Sequence, residues 1–141
     1  MKPTGGDVGA LIAKAGSAAR RRDAVALVDL MREVSGHEPE LWGSIIGFGR
    51  CHYRYPTGNE GDSPIIGFAP RKQASTIYLL DGIDAHREVL DALGPHKTGV
   101  GCLYLQDVSA VDLDVLRGIL ARSFRYVTDG GGEYAHLTVT G

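Results

Sequence analysis

The stretch "GFGRCHYRYPTG", residues 47–58, sets a cysteine, a histidine, two arginines and two tyrosines between glycines. Cys51 suggests a nucleophile, and His52 suggests its base or a metal ligand. Neighbouring side chains on a strand point to opposite faces, so Cys51 and His52 cannot act as a directly paired nucleophile and base. A free cysteine is more often a small buried hydrophobe, and that is the role expected of Cys51. No GxSxG elbow occurs.

Metal chemistry has little local support. The histidines are His37, His52, His86, His96 and His136, and no two are spaced at i+2 or i+4. "HEPEL" looks like the start of a HExxH zinc motif, but Leu41 stands where the second histidine belongs, so no ligand pair forms on a helix face. A site assembled from separate elements, such as His52 with His96, stays open.

The more coherent constellation is cationic and aromatic. Alternation places Arg50, His52 and Arg54 on one strand face, together with Ile46 and Phe48. Arg71 and Lys72 follow the next strand, and His96 and Lys97 lie in the loop "GPHKTGVG". Tyr53, Tyr55, Tyr78 and Trp42 can line a neighbouring surface. If they converge, Arg50, His52, Arg54, Tyr55, Arg71, Lys72, His96 and Lys97 form a site for a small anion or an acidic protein surface, because guanidinium forks grip phosphate and carboxylate. The competing account is a solvated polar sheet face with ion pairs to Glu60, Asp62 and Asp81. "GPHKTG" is not a Walker loop, since GxxxxGK[ST] is absent. Aromatics among arginines can also stack bases, yet a net charge of −2 and the lack of an RNP-type pattern argue against nucleic acid.

The elements that must position these residues follow from periodicity. Asp7 is a plausible cap for a short N-terminal helix. "RRRDAVALVDLMREVSG" carries Ala24, Leu27, Val28, Met31 and Val34 on one helical stripe, with Gly36 as its stop and Arg20, Arg21 and Arg22 as solvated charge at its start. Pro39 predicts a short helical turn. "SIIGFGRCHYRY" reads as one long strand, "PTGNEGDSP" as a hairpin loop, "IIGFAP" and "TIYLL" as two further strands. "DAHREVLDALG" predicts a helix with Val89, Leu90 and Leu93 inward, and "CLYLQ" a fourth strand. "VSAVDLDVLRGILARSF" predicts a third helix with Leu113, Leu116, Ile119, Leu120 and Phe124 inward, and the tail starts with flexible glycines and ends in an edge strand. The order α-β-β-β-α-β-α predicts an α+β two-layer sandwich, an antiparallel sheet with helices on one face.

With 141 residues, the chain suits one domain spanning 1–141. It is 43% hydrophobic and 23% charged, as expected of a globular protein, and its two cysteines form no CxxC, which suits a reducing cytoplasm. Its N-terminal apolar run, Ala10 to Ala13, is too short for a signal-peptide core or a membrane span.

Several ordered segments carry a resemblance: "RRRDAVALVDLMREVSG", "PELWGSIIGFGRCHYRYPTGNEGD", "GFAPRKQASTIYLLDG" and "LGPHKTGVGCLYLQDVSAVDLDVLRGIL". Over residues 18–120 the chain resembles the YdhG-like family of small bacterial domains, while 125–141 form a divergent tail. The resemblance implies an α+β fold related in shape to frataxin, and no agreed catalytic residues. It also implies, as an alternative function, a frataxin-like iron chaperone. Such a protein needs a ridge of carboxylates, because hard iron prefers oxygen ligands. Asp23, Asp29 and Glu33 are interrupted by arginines, and a helix start explains Asp107, Asp112 and Asp114 equally well. The function expected is therefore a non-enzymatic cytosolic binding domain without a cofactor. The alternatives are the iron chaperone and an enzyme acting on a small anionic substrate with His52 or His96 as acid or base.

Overall fold

The computed structural model describes residues 1–132 and 135–141. Glu133 and Tyr134, in the glycine-led tail, lie outside them. Asp7 caps a short helix α1 (Val8–Ala13) by accepting the Ala10 N–H. The long helix α2 (Ala18–Ser35) starts at Ser17, whose hydroxyl accepts the Arg20 N–H, and closes at Gly36. Then come β1 (Pro39–Trp42), β2 (Ile45–Phe48), β3 (Cys51–Arg54), β4 (Glu60–Ser63), β5 (Ile66–Pro70) and β6 (Ser75–Tyr78). A 3-10 turn and the single-turn helix α3 (Arg87–Leu90) lead to β7 (Lys97–Thr98) and β8 (Cys102–Leu105). Helix α4 (Leu113–Thr128) and β9 (His136–Val139) complete the chain.

The fold is α+β, and every strand pairing is antiparallel. Six strands form one sheet in the order β1-β2-β5-β6-β8-β7, and three form a second in the order β4-β3-β9. Paired residues share a face, so the register Ile46–Phe68–Ile77–Leu103 marks one apolar row of the larger sheet. That row packs with Leu27, Met31, Leu116 and Leu120 of α2 and α4 in the main core. The opposite face carries the rows Gly47–Gly67–Tyr78–Cys102 and Ala69–Thr76–Tyr104–Lys97. A smaller cluster of Cys51, Ile65, Val127, Ala135 and Leu137 lies under the second sheet. No helix among the described residues is long and apolar enough to cross a membrane.

The principal departure from the sequence reading is in the opening stretch. It is two strands in two sheets, broken at Gly49, whose φ of +74° belongs to the left-handed region. The break shifts the side-chain parity by one. Ile46 and Phe48 face the main core, but beyond the break Cys51 is the buried residue and His52 is not.

Other corrections are smaller. Pro39 opens an edge strand, where its missing N–H costs nothing, rather than a helical turn. Glu60 to Ser63 leave the expected loop to pair with β3, and Lys97–Thr98 leave theirs to pair with β8. The second expected helix begins as a 3-10 turn, Ile83–His86, before the single α-helical turn of α3, and its tighter winding resets the phase and leaves Val89 exposed. Helix α4 begins at the Asp112 cap rather than at Val108, and Leu113, the first residue after that cap, is exposed. The tail glycines form a tight turn, with Gly131 N–H donating to Tyr126 O and Leu137 N–H to Gly130 O, so β9 pairs with β3.

Arg20 departs furthest from the solvated charge expected at the start of α2. It is buried, and its guanidinium donates to Ser75 Oγ, Leu105 O and Gln106 O while pairing with the buried Asp23. Asp23 also accepts the Val108 N–H and meets Arg22, which reaches on to Asp107. This network ties α2 to the end of β8 and the turn that follows.

Candidate functional site

The structure divides the cationic residues expected to converge. Arg71, His96 and Lys97 line one cavity of about 650 Å³, together with Thr76, Tyr104 and Gln106. It lies over the sheet face opposite the helices. Arg71 follows β5, and its guanidinium spans to Ser44 Oγ at 2.9 Å and to the Tyr78 hydroxyl at 3.1 Å. Lys97 stands opposite Tyr104 on the paired strands β7 and β8. His96 donates Nδ1–H to Gly94 O at 2.7 Å, which fixes its tautomer and leaves Nε2 free.

The cavity's charge balance favours an anion. Among the described residues neither Arg71 nor Lys97 has a carboxylate within ion-pairing distance. The carboxylate in the lining, Asp107, is already satisfied. It accepts from the Ser109 hydroxyl and backbone N–H and pairs with Arg22, and these contacts hold it below the usual carboxylate range. Tyr104 is raised above the ordinary phenol range, mainly by the neighbouring Cys102 side chain.

The other expected site residues stand elsewhere. Lys72 is exposed and outside the lining of this cavity. Arg50 is spent on a bidentate pair with Glu40, at 2.9 and 2.8 Å. His52 sits between Asp62 and Glu60, with each ring nitrogen 2.9 Å from a different carboxylate. Neither nitrogen is free for proton transfer to a substrate. Arg54 and Tyr55 border a shallow surface depression with His136. Asp81, expected to answer this cationic face, instead pairs with the buried His86 at 2.9 Å.

A second cavity, of about 430 Å³, collects most of the expected aromatics. Tyr53, Tyr55 and Tyr78 line it with Ile45, Leu80 and Val100. Trp42 does not: it is buried over Gly47, where a Cβ would lie 2.7 Å from the indole.

Cys51 is fully buried, and its thiol is pushed up to about 11, mainly by desolvation. Such a thiol is no nucleophile at neutral pH. Among the described residues no group of three or more His, Cys, Asp or Glu could hold a metal ion. His52 and His96 belong to separate sites, and the acids considered for iron have other work. Asp29 pairs with Arg32, Glu33 and Asp114 share Arg117, and Asp112 caps α4.

Tyr104, Gln106 and Thr76 escaped the sequence reading. The signal was present, because strand alternation in "CLYLQ" sets Tyr104 and Gln106 opposite the buried Leu103 and Leu105.

These features define an antiparallel α+β protein with helices on one face of its larger sheet and a cationic cavity on the other. In comparison with known proteins, the chain matches no family model, no curated protein and no solved structure.

Proposed function

We propose that the protein is a non-enzymatic binding domain for a small anionic ligand, held by Arg71, His96, Lys97 and Tyr104. The observation that carries this reading is the meeting of Arg71, from the turn after β5, and Lys97, from β7, in one cavity without a carboxylate partner for either among the described residues. Concavity favours a small molecule over an acidic protein surface. The resemblance of residues 18–120 to YdhG-like domains, with their frataxin-related shape, belongs to the same proposal. So does a cytosolic location, which two unpaired cysteines suit.

Titration calorimetry with inorganic phosphate at low ionic strength tests it. The Arg71→Ala/Lys97→Ala double variant should bind at least about tenfold more weakly, since each charge-assisted contact contributes strongly. Arg54→Ala, outside the cavity, should bind like the unaltered protein. No phosphate uptake, or equal uptake by the double variant, refutes the reading.

A further inference from the structure

We infer that the ligand carries a flat aromatic group beside its anionic end, and that this group lies in the tyrosine-lined second cavity; the inference rests on the anion reading above. The two cavities share a wall. Arg71 lines the first, and its Nη2 donates at 3.1 Å to the hydroxyl of Tyr78, which lines the second. Ser44, the other Arg71 partner, directly precedes Ile45 of the second cavity. A single guanidinium thus stands at the junction of a cationic space and an apolar one.

The second cavity is built for the neutral part of such a molecule. Its lining is mainly apolar and aromatic, and Asp62, the one charged side chain there among the described residues, is already paired with His52. Tyr53 and Tyr55 present rings with centroids 5.3 Å apart and tilted by 50°, a geometry that leaves aromatic edges and faces for a third ring. Its volume of about 430 Å³ falls within the range of small-molecule sites. Val100, in the lining and 93% exposed, sets the rim of this cavity at the surface.

The test compares inorganic phosphate with 1-naphthyl phosphate by titration calorimetry. The unaltered protein should bind the aryl ester at least about tenfold more tightly, from apolar burial of the ring. That ratio should fall toward one in Tyr55→Ala and in Tyr53→Leu. Tyr55 is partly exposed, so its truncation keeps the test meaningful if the Tyr53 variant is unstable. Phosphate binding with no gain for the aryl ester, or a gain that survives in a folded tyrosine variant, overturns the inference and leaves the anion reading standing. Binding of neither probe overturns both.

Discussion

His52 and Asp62 stand directly opposite each other on β3 and β4, with the imidazole Nδ1 2.9 Å from a carboxylate oxygen. Glu60 takes the other ring nitrogen at the same distance. The hydrogen bond to Asp62, then that to Glu60, raises His52 above its ordinary value, and the His52 bond lowers Asp62. Stabilisation from His52 is fully present below the unfolded imidazole value and lost as pH rises through the higher folded one. Stabilisation from Asp62 is present above the unfolded carboxylate value and lost as pH falls through the lower folded one. Thermal melting should therefore show a decline on the alkaline side that His52→Gln removes. An unchanged profile in that variant would show that the triad contributes nothing to stability.

Cys51 and Cys102 should differ sharply toward alkylating reagents. Cys51 is buried with its thiol near 11, whereas Cys102 is half-buried on the sheet face opposite the helices. Iodoacetamide at neutral pH, followed by mass spectrometry, should label Cys102 first. The folded Cys102→Ser variant should then stay essentially unlabelled, because only the thiolate reacts.

Arg20→Ala should be the most damaging of the three changes in the run Arg20–Arg22. It removes a buried guanidinium from Ser75, Leu105 and Gln106 and takes one of two arginines from buried Asp23. A loss of about 2–4 kcal/mol in urea unfolding is expected. Arg21→Ala, which loses one bond to Ala15 O, should cost about 1 kcal/mol or less.

Gly47→Ala tests the closest approach on the larger sheet. A Cβ there would lie 2.5 Å from Pro64 Cβ and 2.7 Å from the Trp42 ring. Overpacking of this kind costs about 1–3 kcal/mol. Because Trp42 is the only tryptophan, its emission should shift to the red as it is pushed from its buried seat.

How far the sequence reveals this arrangement depends on the element. Helix α2, the caps at Asp7 and Gly36 and the strands β5, β6 and β8 follow from periodicity and terminal chemistry, since local pattern and tertiary packing agree there. The break at Gly49 leaves only a faint mark in the sequence, the apolar positions passing from Ile46 and Phe48 to Cys51, Tyr53 and Tyr55, and it is the backbone dihedral that reveals the change of sheet. The site splits at that same point. Arg50, His52 and Arg54 went with the smaller sheet, while Arg71, His96 and Lys97 stayed with the larger one. The burial of Arg20 has no local signal, because its partners, Leu105 O and Gln106 O, are backbone groups some 85 residues away along the chain.

Phe124, on α4, packs against both the main core and the smaller cluster beneath the second sheet. Two separate cores could melt in two steps. A ring embedded in both makes them one cooperative unit, because freeing the smaller sheet strips contacts from the larger. The tyrosine-lined cavity draws its walls from both sheets, so a ligand in it binds only while the two are packed together. Whatever occupies it should slow hydrogen exchange throughout the molecule, including in helices it never touches.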